Sequence, residues 1–157
     1  MQELAIWAEA SPLATALRSP GPLYMLVNAA HILGLSLLIG AIVPLDLRLV
    51  GIIRRPDIRV IGPFLSRAAG CGFLLVLLTG PALWSVNAVA YLDNTAFRWK
   101  MLLVAIGIAT IVIQHAGRGW HHAITTGKIT FPTRIMAALS LLIWPSALLA
   151  GRWIGFL

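Results

Sequence analysis

Charge is scarce in this chain and cysteine nearly absent. Of its 157 residues only 11 % are charged, and five of those are acidic, against 59 % that are hydrophobic. A soluble domain of this size cannot internalise so much apolar surface, so the expected solvent is a lipid bilayer. The single cysteine, Cys71, excludes an intramolecular disulfide, a CxxC motif and a c-type haem attachment. No nucleophile triad or phosphate-binding loop is present, and the glycines at 117, 119 and 127 follow no strand, so they do not read as a dinucleotide motif. Residues 1–17 (MQELAIWAEASPLATAL) lack a basic n-region, which argues against a signal peptide and leaves a short amphipathic segment lying at the interface. Period-2 alternation of polar and apolar residues is also missing, and a membrane β-barrel needs it.

What remains is an all-α chain, an integral membrane four-helix bundle with a short N-terminal interfacial helix, forming one domain over residues 1–157. A span needs roughly 20 apolar residues. Four stretches qualify: about 23–45, 68–92, 97–116 and 135–157. The third reaches full length only if Arg98 and Lys100 snorkel outward. Thr79-Gly80-Pro81 is expected to kink the second, and Gly34, Gly40 and Gly107 are small residues of the kind that let membrane helices approach closely. The same small-residue faces are compatible with a homo-oligomer.

The net charge of +7 would point to nucleic acid in a soluble protein, but here the basic residues lie at the ends of apolar runs. We therefore expect no nucleic-acid partner. Arg48, Arg54, Arg55, Arg59 and Arg67 fall in a loop expected over 46–67, and Arg118, Lys128 and Arg134 in one over 117–134. These two loops share a side. Only Arg18, Arg98, Lys100 and Arg152 lie opposite, so the positive-inside rule predicts a multi-pass inner-membrane protein with both termini outside the cytoplasm.

Polar residues inside a membrane are costly and each is a functional candidate. Asn28 and His31, three apart in NAAHILG, share a helix face, close enough for Asn28 to orient the imidazole. At 1.5 Å per residue, His31 lies about 10 Å below the outer surface, while Lys100 opens the third span there and Arg152 reaches it from below after about 25 Å. His31, Lys100 and Arg152 thus fall in one outer half. An imidazole below two cations suits an anionic, planar, apolar cofactor, with the ring for a haem iron and the cations for its propionates. His115 lies about 12 Å deeper than His31, too far for both to ligate one iron. Met25, Met101 or Lys100 are the available second axial groups. A weaker metal candidate is His115 with His121 and His122 in HAGRGWHH, which carry no carboxylate or thiolate nearby. Asp46 and Arg48, in PLDLRL, read most simply as an ion pair anchoring the loop, with Arg67 as a further partner; the alternative reading of Asp46 is a proton-entry role.

The runs LYMLVNAAHILGLSLLIGAIVPLDLRLVG, TGPALW, YLDNTAFRWKMLL and LLIWPSALLAGRWIGF resemble a family of small bacterial membrane proteins of unknown function. More distantly, the first-helix histidine followed by glycine, the arginine closing that helix and the lysine opening the third are similar to the membrane-bound protoporphyrinogen oxidases and the membrane domain of copper resistance protein D. The matching positions are His31, Arg48 and Lys100. The likeness to the oxidases implies haem or porphyrin binding.

Shared depth and resemblance together lead to an expected b-type haem (haem b) protein, ligated through His31 with Asn28, Lys100 and Arg152 around the cofactor, exchanging electrons with a quinone or a partner redox subunit. The alternatives are a non-catalytic structural or assembly subunit of a larger membrane complex, with His31 as an interhelical hydrogen-bond donor, and a copper- or zinc-handling protein using His115, His121 and His122. No catalytic residue is identified.

Overall fold

Eight helices follow one another through residues 2–156, the part of the chain that the computed structural model describes. Two short ones, α1 (Gln2–Glu9) and α2 (Pro12–Arg18), take the place of the single interfacial helix expected. The Ser11 hydroxyl caps α2 by accepting from the Ala14 amide at 3.2 Å, and proline follows at the first helical position, where its missing donor costs nothing. Leu4, Ile6 and Trp7 face outward, as an interfacial segment requires.

The first long helix, α3 (Leu23–Val50), runs five residues past the expected span and ends at Gly51, whose φ of 99° is the left-handed conformation that only glycine adopts cheaply. The second, α4 (Ile58–Ser85), differs more. It begins ten residues earlier than expected because Asp57 caps it, its carboxylate accepting from the Arg59 amide at 2.9 Å. The loop before it is therefore only residues 51–57, and Arg48, Arg59 and Arg67 belong to helices. The helix continues through Pro63 and Pro81 to Ser85, and the last part of the expected span forms a separate short helix, α5 (Ala88–Asp93). Asn94 then caps α6 (Thr95–Ala116), the expected third span. An amphipathic α7 (Arg118–Thr126) lies within the expected second loop. The last span is α8 (Phe131–Trp153), extended by a 3-10 turn at Ile154–Phe156. All four long helices are apolar enough and long enough to cross a membrane.

Their packing is uneven. Helix α3 lies against α4 and α8, and α8 against α6, whereas α4 and α6 hardly touch. The spatial order is thus α4, α3, α8, α6, with a cleft between its two ends, bridged by α5 at one end and α7 at the other. Close contact is set at Gly34 and Gly72. A β-carbon on Gly72 would stand 2.5 Å from the Leu38 amide nitrogen and 2.7 Å from the Gly34 carbonyl, so backbone meets backbone there. Gly107 plays the same part between α6 and α8, where an added β-carbon would lie 3.0 Å from the Trp144 ring. Gly40 does not. Nothing lies within 4 Å of its missing side chain, which faces outward.

Three apolar clusters stack along the bundle. Leu45, Leu49, Ile58, Trp120 and Ala137 form the level nearest α7; Leu38, Ala41, Ile42, Ala69 and Trp144 form the middle; Ala5, Ala8 and Ala88 close the end near the termini. At that end the Glu9 carboxylate accepts from the Val89 amide at 2.8 Å and Arg18 donates to the Val86 carbonyl at 3.2 Å, pinning α1 to α5 and α2 to the end of α4.

Replacing Gly72 by alanine should destabilise the protein by about 1–3 kcal/mol, since the obstructing atoms are backbone and cannot step aside. Gly40→Ala should leave the detergent unfolding midpoint unchanged. Equal midpoints for the two variants would show that the α3–α4 crossing is not close-packed.

Candidate functional site

Two cavities occupy the cleft. The outer one, about 510 Å³, is lined by side chains from α3, α4, α5, α6 and α8. It gathers His31, Lys100 and Arg152, the three residues grouped by depth from the sequence, together with Asn28. Its size falls within the range of small-molecule and cofactor sites, about 300–1,000 Å³.

His31 projects from the third turn of α3 toward α4. Its Nδ1 lies 2.8 Å from the Thr79 hydroxyl, which itself donates to the Leu75 carbonyl at 2.7 Å. A hydroxyl has one proton to give, so with that proton committed to Leu75 it accepts from His31, and the imidazole carries its hydrogen on Nδ1. The Nε2 lone pair is then free. A β-carbon added to Gly80 would be 3.6 Å from Cε1, an ordinary contact, so the ring sits close beside α4 there. Asn28 shares the cavity but does not hold the ring; the expected orienting role belongs to Thr79. The reason is geometric, because a side chain on a facing helix meets the ring edge-on while one three residues back lies under it.

Lys100 is half-buried, its chain running along α8 where Gly151 has no side chain; a β-carbon there would meet Cδ and Cε at 3.5 Å. Arg152, next in sequence, is exposed at the cavity mouth and stacks its guanidinium over Phe156 at 5.0 Å. Neither cation has an acidic partner among the described residues, and no acidic side chain lines the cavity. Trp84 and Trp144, also in its lining, have buried indole N–H groups with no acceptor in the protein. Tyr91 stacks on Phe97 at 5.4 Å, and burial, with the nearby Tyr24 adding, holds its phenol above the ordinary value, so it stays neutral. The cavity is rich in donors and positive charge and poor in acceptors. Chemically it favours an anion or acceptor-bearing molecule with an apolar body. Met25 and Met101 do not line it and are exposed, which removes them as partners for anything bound inside.

The other histidines sit elsewhere. His115 belongs to the inner cavity, where Nδ1 donates to the Ile111 carbonyl at 3.0 Å, Nε2 lies 2.9 Å from the Ser66 hydroxyl, and the ring rests on Trp120. His121 and His122 are neighbours on exposed faces of α7. Adjacent helical residues diverge, so the expected three-histidine group does not form, and among the described residues no three histidine, cysteine or acidic side chains converge on a metal position. The expected Asp46–Arg48 ion pair is likewise absent, and for the same reason. Two residues apart on a helix, they point away from each other: Asp46 is buried beside Ser140, while Arg48 donates to the Pro56 carbonyl at 2.8 Å.

Arg48, Arg54, Arg55 and Arg59 surround a shallow pocket with Asp57 and Gly127, so the loops after α3 and α7 meet at one end of the bundle. Hydrogen bonds from the Arg59 guanidinium and then from its amide hold the Asp57 carboxyl down to about 2.

Over residues 4–157 the chain matches a family described as a Family of unknown function (DUF6644), and it belongs to that family. Neither the curated proteins nor the solved structures contain a match.

Because the folded value of Asp57 is depressed, its cap and ion pair are fully present above the ordinary carboxylate value, about 3.9, and are lost only as pH falls through about 2. Carbon NMR of the Asp57 carboxyl should show that low midpoint, and Arg59→Gln should return it toward about 3.9. A wild-type midpoint already there would remove the pairing.

Proposed function

We propose that this protein is a b-type haem protein of the bacterial inner membrane, in which His31 Nε2 would hold the iron and Lys100 and Arg152 would take the propionates. We further propose that it passes electrons to or from a quinone or a partner redox subunit, with both termini outside the cytoplasm. One observation carries the haem reading: Thr79 fixes the His31 tautomer so that a free nitrogen lone pair shares an acid-free cavity with two unpaired cations. The cluster of four arginines at the opposite end supports the orientation. The distant likeness to membrane-bound protoporphyrinogen oxidases points the same way.

The residues divide the task by chemistry. Thr79 acts on the ligand from outside, setting which imidazole nitrogen is offered and raising its basicity, as partners of ligating histidines generally do. Lys100 and Arg152 would neutralise the haem carboxylates at the cavity mouth, where Arg152 is exposed. Leu35, Ile39, Val76 and Val104 supply the apolar walls that exclude water from a macrocycle face. Haem, when bound, would supply a one-electron carrier.

Protein purified in detergent from haem-replete cells should show a Soret band that His31→Ala abolishes. Thr79→Val should keep the band but weaken haem affinity by about 10–100-fold. Lys100→Met should lower affinity by about tenfold or more while leaving the band position unchanged. A colourless wild-type protein, or a band indifferent to His31→Ala, would overturn the reading.

A further inference from the structure

The inner cavity, about 310 Å³, is a separate space, and the proposed haem chemistry does not use it. Its walls are mostly apolar, from Leu38, Ile42, Phe73, Ile108 and Ile111. Into it project polar groups from every long helix: Asp46 from α3, Ser66 from α4, Gln114 and His115 from α6, and Ser140 from α8. Asp46 stands out among them. It is only 4 % exposed, it lies beside the Ser140 side chain, and its Oδ2 has no hydrogen-bond partner.

Burying a carboxylate charge without a cation is among the most costly things a membrane protein can do. No cation is at hand. The nearest arginine in sequence, Arg48, is turned to the Pro56 carbonyl, and both ion pairs among the described residues involve other acids. Of the elements packed around Asp46, α4 presents Ser66, α7 presents Trp120 and α8 presents Met136 and Ser140, none of them titratable near neutrality; α6 alone presents a titratable group, His115. That histidine is exposed and stands one residue before the end of α6, beside α7. Because its Nδ1–H is committed to the Ile111 carbonyl, its Nε2 is the basic nitrogen, and it accepts from Ser66. The cavity is roomy and polar enough to admit water, which needs two to four polar partners.

We propose that Asp46 is a proton-binding site inside the membrane, exchanging its proton with the inner face through this cavity and His115. On release, the Asp46 O–H bond breaks and cavity water carries the proton to His115 Nε2, where a new N–H bond forms. The products are a carboxylate and an imidazolium, and the imidazolium then returns its proton to solvent. Uptake runs in reverse. The proposal stands apart from the haem reading, because no group in the outer cavity takes part.

The full-length protein in lipid vesicles offers two readouts. Dicyclohexylcarbodiimide, which enters apolar sites and adds protonated carboxyl groups across a C=N bond to give an O-acylisourea that rearranges to a stable N-acylurea, should modify Asp46 at neutral pH, with peptide mass spectrometry locating the adduct; Asp46→Asn should lose it. Infrared spectroscopy in heavy water should show the carboxylic C=O stretch shifting as the proton exchanges, and His115→Gln should slow that exchange by about tenfold at unchanged amplitude. Both experiments read the wild-type fold, so a misfolded Asp46→Asn does not remove the test, and Asp46→Glu should restore labelling. No adduct on wild-type Asp46, or an exchange rate untouched by His115→Gln, would overturn the proposal.

Discussion

The molecule is organised by one close approach, where α3 and α4 cross with Gly34 and Gly72 in backbone contact. In a bilayer, lipid competes with every apolar side chain for contact, so helices gain by fitting backbone to backbone where residues are smallest. That fit draws α4 toward α3 and leaves it apart from α6. The cleft that results is what both cavities occupy. Had the second helix been free to close against α6, the space beside the Thr79–His31 hydrogen bond would be filled, and Asp46 would pack against side chains alone.

Charge is sorted along this cleft. The outer cavity holds cations, indole and phenol donors and no acid, while the inner one holds a carboxylic acid with a histidine. Polar groups in a membrane interior demand partners, and unpaired donors at one depth with an unpaired acid at another cannot satisfy each other. Each cavity therefore asks for its own visitor. The acid-free chamber selects for an acceptor-bearing body, and the acidic one for something as small as a proton or water.

Much of this was legible in the sequence, and the omissions have identifiable causes. The third span and the grouping of His31, Lys100 and Arg152 followed from helix rise alone, because depth in a membrane is nearly a linear function of residue number. The second span was misplaced because its charge-free stretch is not its helical stretch. Arginines at 59 and 67 can snorkel, and the aspartate that starts the helix stands outside the apolar run. Thr79 was visible only as part of a proline kink; that it meets His31 depends on how α4 rotates against α3, which no single-helix periodicity encodes. The same rotation hid Gly72, whose neighbour Cys71 faces outward. Asp46 was assigned to Arg48 by proximity in sequence, although residues two apart on a helix face different ways. Its burial was the missed signal: an acid inside an apolar helix, with arginine only on the opposite face, is a candidate for the interior.

Leu38 and Phe73 line both cavities. Those two side chains therefore stand between the chambers, in a membrane about 30 Å across. Electrically this resembles a capacitor with its plates brought close together. Where polar spaces reach inward from both faces, the membrane potential falls mainly across the thin septum, and about 2.3 kcal/mol per charge for each 100 mV is concentrated over a few ångströms. A charge gained or lost beside Leu38 and Phe73 would feel most of that field, so the voltage across the cell membrane becomes a variable to which this pair of chambers is geometrically exposed.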